Sequence, residues 1–267
     1  MRHSSRVALA ALSCAVALPY SASALDIGGV FDMGVMTGTA AMDPVIEQSR
    51  ERAIRQGEGD PLPGRGGSRS LTAGLASAFS ADVARGTASS APVDETALVY
   101  RPSASVRKAN FARFVEKSRA ADPDGAAKLA ELFRSTDVMG LAQQWMQPYG
   151  LSTSNVADAA AVYLTSAWLA TRGSADDPEP AHMSAVRDQM ASAIVAAPEF
   201  RSATDAQKQE LAEAMIVQAI LVSQYVEVAK KRPDLMGAVQ GAVAEGASNT
   251  FGFDLRSLQL SERGLRP

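Results

Sequence analysis

Cysteine and histidine are almost missing from this chain of 267 residues, which contains one cysteine and two histidines. Cys14 and His3 lie in an N-terminal segment that we expect to be removed, and only His182 would then remain. A mature chain of that composition has no disulfide, no thiol nucleophile and no cysteine-rich zinc site. We therefore expect neither a metal ion nor another cofactor.

The segment expected to be removed is a signal peptide, residues 1–24. Arg2 and Arg6 give it a basic start, and residues 7–18 form an apolar run too short to span a bilayer. Residues 22–24, Ala-Ser-Ala, have the small–x–small pattern of a cleavage site. The sequence therefore predicts a periplasmic or secreted protein with no transmembrane span after cleavage.

Two other interpretations of this N-terminus stay open beside the signal peptide. A buried helix would need a polar face, which the apolar run lacks. A lipoprotein would carry its lipid on Cys14, but Leu12 lies one place too close to that cysteine.

The chain also has no excess of basic residues. The chain has 26 Lys and Arg against 29 Asp and Glu, and loss of Arg2 and Arg6 leaves 24 against 29, a net charge of −5. Sequence-independent binding to nucleic acid needs a basic surface. We therefore expect no nucleic-acid partner.

Residues 25–96 are predicted to be a flexible, mostly disordered spacer. They hold 11 of the 20 glycines and few large apolar side chains, too few to offset the chain entropy lost on folding. Within them, residues 43–56 could form a short helix capped by Asp43, with Pro44 at its first position. A transient helix and a docking peptide are both open for this stretch, and we favour the transient helix.

Residues 97–267 are predicted to form one all-α domain, a bundle of about seven helices. Apolar residues recur there at helical spacing, and runs of alternating β-branched residues are nearly absent. The longest helix is expected to begin at the capping box Thr204–Gln207, to end before Pro233 and to lie at the centre of the bundle. The tail at residues 255–260 is expected to be extended.

The stretch "PYGLSTSNVADAAAVYLTSAW", residues 148–168, combines aromatic and polar side chains. Asn155 is in position to cap a helix, and Asp158 could reach back to the Asn155 N–H. The alternative is a pocket for a sugar or a peptide. Its candidate binding residues are Trp145, Tyr149, Asn155, Asp158, Tyr163 and Trp168. We favour the cap and the core, because Tyr and Trp usually find one polar partner when buried.

Other candidate chemistry is weak. His182, in a polar run, is expected to be exposed rather than part of a triad, and neither a G-x-S-x-G nor a phosphate-loop motif occurs. Carboxylates such as Glu210 and Glu213 are expected to form solvated faces balanced by lysines. The Gly237–Gly241 pair predicts close helix packing inside a soluble bundle. No catalytic residue is assigned.

Three blocks, "VRKANFARFVEKSRAADP", "PYGLSTSNVADAAAVYLTSAW" and "SATDAQKQELAEAMIVQA", resemble a family of exported bacterial proteins known as a domain of unknown function. The resemblance covers about residues 99–265. It implies an origin in Gram-negative bacteria and a periplasmic or secreted location. It brings no catalytic residue and no ligand.

Two functions are therefore compatible with the sequence. The first is a non-enzymatic exported helical domain on a flexible spacer, with a binding or assembly role and an envelope protein or glycan as partner. The second is a carboxylate-based hydrolase that acts on envelope glycans or peptides, with two acids facing each other across a cleft. The oligomeric state stays open.

Overall fold

A computed structural model describes residues 67–85, 93–121 and 123–267, and these residues form an α-helical bundle. Its helices are α1 (Gly67–Arg85), α2 (Ala104–Ala121), α3 (Pro123–Ser135), α4 (Val138–Met146), α5 (Val156–Ala170), α6 (Pro180–Ala196), α7 (Asp205–Lys231) and α8 (Met236–Phe251). Its strands are β1 (Gln259–Ser261) and β2 (Gly264–Arg266). The predicted all-α class is confirmed. The predicted signal peptide and the short helix at residues 43–56 lie outside the described residues.

Helix α7 is the centre of the bundle, as the sequence predicts. It has 27 residues, about 40 Å at ~1.5 Å per residue, and contacts α1, α2, α5 and α8. The capping box is present: the Gln207 N–H donates to Thr204 Oγ1 at 3.3 Å, and the Thr204 N–H donates to Gln207 Oε1 at 2.8 Å. Among the described residues α7 alone is long and apolar enough to cross a membrane, but most of its apolar stretch is buried by neighbouring helices.

Helix α1 corrects the predicted extent of the spacer. Leu71, Leu75, Phe79 and Val83 recur every fourth residue and are buried, and α1 packs on α6, α7 and α8. The Phe79 ring also meets Phe251 of α8 edge to face, with centroids 5.7 Å apart. Residues 67–85 therefore belong to the helical bundle, and the boundary placed at residue 96 is wrong for this segment.

The C-terminal tail lies against α6, mostly as a strand. A short 3₁₀ turn, Leu255–Ser257, replaces the expected extended start, and β1 then pairs antiparallel with β2. The buried Gln189 of α6 holds the tail, since it donates from Nε2 to the Leu265 carbonyl at 3.1 Å and accepts the Leu265 N–H at 2.9 Å. Both backbone groups of Leu265 are thus satisfied by one side chain of the bundle.

Glu210 and Glu213 of α7 are buried, which contradicts the predicted solvated face. Glu213 is 1% exposed and accepts from Arg107 Nε and Asn110 Nδ2 of α2, each at 2.8 Å. Glu210 is 7% exposed and pairs with Arg113. The prediction failed because α2 packs across this side of α7, so the counter-ions come from α2 rather than from Lys208.

The glycine pair of α8 is also corrected. A Cβ added to Gly237 or to Gly241 would meet no atom within 4 Å, so no helix packs closely on this pair within the described residues. The face of α8 that carries them is open.

Candidate functional site

Asn155 is a helix cap, as the sequence predicts. It is 6% exposed, and its Oδ1 accepts from the Ala157 N–H at 2.9 Å and from the Asp158 N–H at 3.3 Å. The segment before α2 is tied to the same point, because the Val156 N–H donates to the Leu98 carbonyl at 2.9 Å. The Asn155 side chain therefore completes the backbone of α5.

Asp158 does not reach back to Asn155. Its Oδ2 accepts from the Ser152 N–H at 2.8 Å, and its Oδ1 accepts from Arg187 Nε of α6 at 3.0 Å. Arg187 also pairs with Glu95, in the segment that precedes α2. Burial raises the pKa of Asp158, while the Ser152 N–H and Arg187 oppose that shift. This ion-pair cluster joins three segments of the chain.

Trp145 and Tyr149 pack on the segment before α6. Trp145 Nε1 donates to Asp177 Oδ1 at 3.0 Å, and the Tyr149 hydroxyl donates to the Pro178 carbonyl at 3.3 Å. Helix α6 begins at Pro180, directly after this segment. The cavity beside Trp145 has a volume of about 10 Å³, room for about one water molecule.

Tyr163 and Trp168 lie elsewhere on α5. Tyr163 is fully buried, with its ring centroid 6.2 Å from that of Phe251. Trp168 Nε1 donates to the Leu258 carbonyl at 2.9 Å, and the Arg172 guanidinium lies 3.7 Å from the Trp168 ring centroid. Trp145 and Tyr149 contact each other, as do Asn155 and Asp158, whereas Tyr163 and Trp168 have other partners, an arrangement that fits a helix cap and a core.

A different surface has the shape of a binding site. It is an open groove of about 690 Å³ between α2, α3 and the start of α4, which we call the α2–α3 groove. Its floor is apolar and is formed by Phe111, Ala112 and Val115 of α2 with Ala130 and Phe133 of α3. Its volume falls in the range of about 300–1,000 Å³ that is usual for ligand pockets.

Two phenylalanine rings stack on each other in the floor of the α2–α3 groove. The ring centroids of Phe111 and Phe133 are 4.1 Å apart with an interplanar angle of 18°. Both residues are only partly buried, and they pack against the edge of the core. Aromatic residues are enriched in protein–protein interfaces, and a partly exposed aromatic pair is therefore consistent with a contact surface.

The rim of the α2–α3 groove is basic. Its four cationic side chains are Arg107, Lys108, Arg119 and Arg134, and its two carboxylates are Glu116 and Asp137. The lining therefore carries a formal charge of +2, whereas the whole chain carries −3. By formal charge the groove lining is therefore more basic than the chain as a whole.

Three of these four cations also pair with a carboxylate, and Arg107 does so with the buried Glu213 of α7, at 2.8 Å. Arg119 Nε lies 3.2 Å from Glu116 Oε2, and both side chains are at least half exposed. Arg134 Nε donates at 2.9 Å to Glu131 Oε2, and this hydrogen bond raises the pKa of Arg134. Arg134 is 74% exposed at the groove rim and keeps Glu131 as its partner there.

The α2–α3 groove was missed because the sequence assigned its floor to the core. Phe111 and Phe133 lie on the apolar stripes of their helices, and a stripe alone does not show which residues a neighbour will cover. One signal was present: "RKANFARF", residues 107–114, alternates cations with aromatic residues. The structure places these residues on different sides of α2, since Phe111 lines the groove whereas Phe114 is buried.

The described residues offer little for metal or acid–base chemistry in the α2–α3 groove. They contain no group of three or more His, Cys, Asp and Glu side chains that could hold a metal ion. Of the groove's two carboxylates, Asp137 caps α4 by accepting the Gly140 N–H at 2.9 Å, and Glu116 pairs with Arg119. His182 lies in the first turn of α6, partly exposed and outside the groove lining.

Fold and groove together define a class: an all-α bundle around one central helix, with an open, basic-rimmed apolar groove on its side. Comparison of the sequence with family models places the chain in a Family of unknown function (DUF6683), whose model matches residues 71–266. The chain belongs to this family, and the match starts inside α1. No curated protein and no solved structure shows a significant match.

Proposed function

We propose that this chain is an exported, non-enzymatic helical protein that binds a protein partner through the α2–α3 groove. The observation that carries the proposal is the stacked, partly exposed Phe111–Phe133 pair in a groove of about 690 Å³. Export is supported by the signal-peptide pattern of residues 1–24, and it makes an envelope or secreted protein the expected partner.

The chemistry of the α2–α3 groove favours an acidic amphipathic helix. An apolar floor between two helices receives the apolar face of a third helix, and specificity comes from charges at the edges. Acidic residues that flank the apolar face of the partner would meet Lys108, Arg119 and Arg134. A glycan fits less well, because the Phe, Ala and Val side chains of the floor offer no hydrogen-bond donors or acceptors.

The hydrolase alternative gains no specific support. It needs two facing carboxylates that are free for acid–base work, about 5–10 Å apart. The two carboxylates of the groove, Glu116 and Asp137, are engaged with Arg119 and with the Gly140 N–H. The hydrolase stays an untested prediction.

Peptide titration of the full chain lacking residues 1–24 tests the proposal. The probes are a synthetic Leu/Glu amphipathic helix and its Leu/Lys counterpart, each with a fluorophore for anisotropy. We expect the Leu/Glu helix to bind, more weakly as salt is added, and the Leu/Lys helix not to bind. Equal binding of both peptides would overturn the proposal, and so would the absence of binding both to this chain and to a variant in which Asp26, Asp32, Asp43 and Glu47 are neutralised.

Charge reversal locates the contact. Arg119→Glu combined with Arg134→Glu should weaken the Leu/Glu helix about tenfold, which corresponds to ~1.4 kcal/mol and to the loss of two exposed charge contacts. Arg263→Glu is the matched control, because Arg263 is exposed in the turn between β1 and β2. The control should bind like the unmodified chain.

A further inference from the structure

The chain contains a segment whose chemistry matches the α2–α3 groove. We infer that residues 25–47 of the same chain occupy this groove when no partner is bound, so that the protein blocks its own binding surface. The inference rests on the proposed function, because it assigns an internal competitor to the same groove. Residues 25–47 lie outside the residues that the structure describes.

The charge of this segment is the first argument. No Lys, Arg or His occurs between Arg6 and Arg50, whereas residues 25–47 contain four acids, Asp26, Asp32, Asp43 and Glu47. The formal charge of the segment is therefore −4, against +2 for the groove lining. Opposite charge favours association of the two and disfavours wrong pairings.

The apolar content of the segment is the second argument. Residues 25–47 hold ten large apolar side chains of the Leu, Ile, Val, Phe and Met types, among them Phe31 and three methionines. Flexible methionine side chains adapt well to an apolar groove. An acidic segment without such side chains would match only the rim, whereas this one matches the rim and the Phe111–Phe133 floor.

The next stretch of the chain, residues 50–56, does not match the groove, and this sets the C-terminal limit of the docking segment. Residues 50–56 carry three arginines, Arg50, Arg52 and Arg55, and these would face the cations of the groove rim. Like charges placed opposite each other oppose binding. The occupant therefore ends before Arg50, and the short helix predicted at residues 43–56 is not the docking element as a whole.

The tether is long enough. Residues 48–66 are 19 residues between the segment and the start of α1, and at ~3.4 Å per residue they reach up to about 65 Å. That exceeds the roughly 40 Å length of α7, the longest helix of the bundle. A tether of this kind gives an effective concentration near the millimolar range, so even weak docking fills the groove until a tighter partner displaces it.

Disulfide trapping in the full chain tests the occupancy. With residues 1–24 removed the chain has no cysteine, so two can be introduced without background. Met33→Cys is combined with Ala112→Cys, an exposed position in the groove, or with Ala238→Cys, an exposed control position on α8. We expect the intrachain disulfide to form several times faster with Cys at 112 than at 238, and Arg119→Glu with Arg134→Glu to remove the difference.

Equal trapping rates at positions 112 and 238 would overturn the inference. A second readout separates its failure from failure of the proposed function. Neutralising Asp26, Asp32, Asp43 and Glu47 to Asn and Gln should raise the affinity for the Leu/Glu helix several-fold, because the competitor is removed. Unchanged affinity with equal trapping would sink the self-occupancy and keep the groove function. No peptide binding to either chain, with fast trapping at position 112, would keep the self-occupancy and sink the proposed function.

Discussion

Arg266 and Asp82 form an ion pair inside the protein although 184 residues separate them. Arg266 Nη1 lies 2.9 Å from Asp82 Oδ2 and 2.7 Å from the Asp82 carbonyl oxygen, and the two side chains are 8% and 2% exposed. Gln189 Nε2 also donates to Asp82 Oδ2, at 2.8 Å. One carboxylate thus fastens α1 to α6 and to β2.

Removal of the Asp82 carboxylate should be strongly destabilising. Asp82→Ala leaves Arg266 buried and unpaired, and breaking a buried pair in this way costs about 3–5 kcal/mol of the free energy of unfolding. Arg85→Ala is the matched control, since Arg85 contacts the same carboxylate at 3.2 Å but is 58% exposed, and it should cost less than about 1 kcal/mol. Equal costs in denaturant titration would show that the pair does not anchor α1.

Loss of the Asn155 cap should reduce the stability of the protein by less than loss of the Asp82 carboxylate does. Asn155→Ala removes the acceptor of the Ala157 and Asp158 N–H groups and should cost about 1 kcal/mol of stability. Asn155→Ser retains a neutral acceptor oxygen, adds no charge beside Glu95, and should restore part of the loss. Melting curves of the three chains check this, and a variant that melts like the unmodified protein would contradict the cap.

Arg187→Ala should have an effect that depends on pH. Burial raises the pKa of Asp158, and Arg187 opposes that rise. Without Arg187 the pKa of Asp158 in the folded state should be higher still. The folded variant therefore loses most stability at a pH where Asp158 is ionised. The pKa of Glu95 is lowered by Arg187, and this contribution is present near neutral pH and lost in acid. Through Asp158 and through Glu95 alike, Arg187→Ala should lower the free energy of unfolding more at neutral pH than in acid.

The difference in unfolding free energy between Arg187→Ala and the unmodified chain should therefore be largest near pH 7 and should narrow toward pH 4. Urea titrations at several pH values measure it. A difference that stays constant or widens in acid would show that the Asp158–Arg187–Glu95 cluster is not responsible.

Gln218 should be replaceable at a gain. It is fully buried on α7, and neither Oε1 nor Nε2 has a hydrogen-bond partner among the described residues. Gln218→Leu removes two unsatisfied polar atoms and should stabilise the fold by about 1–2 kcal/mol. Gln209→Leu is the opposite case, because Gln209 is equally buried but bonds Ser103 and Glu213, and it should destabilise. Loss of stability in both variants would contradict the prediction for Gln218.

Local devices were predictable from the sequence. The Thr204–Gln207 box, the Asn155 cap and the Asp137 cap each use groups within three residues, so their spacing alone specifies the contact. The left-handed Gly150, which closes the turn after α4, belongs to the same class.

Long-range partners were not predictable. Asp158 was expected to bond a neighbouring N–H but pairs with Arg187 on another helix, and Glu213 was expected in solvent but pairs with Arg107. Which cation meets a carboxylate depends on how the helices pack. Helix α1 was missed because Gly, Ser and Ala dilute its four large apolar residues until the segment resembles a linker.

The α2–α3 groove could not be predicted for a related reason. An apolar stripe predicts a buried face, but it does not tell whether this chain or another molecule covers that face. Phe114 is buried by its own bundle, whereas Phe111, three residues earlier on α2, borders the open groove. The difference between Phe111 and Phe114 depends on how neighbouring helices pack on α2, which the sequence of α2 alone does not show.

Site-specific photo-crosslinking in cells that export the protein tests the groove most directly. A photoreactive amino acid is placed at Ala112 in the groove or at Ala238 on α8, both exposed positions. Our account predicts a discrete species heavier than the chain from position 112 alone, lost when Arg119→Glu and Arg134→Glu are added. Equal crosslinking from both positions, or crosslinking from position 238 alone, would contradict it.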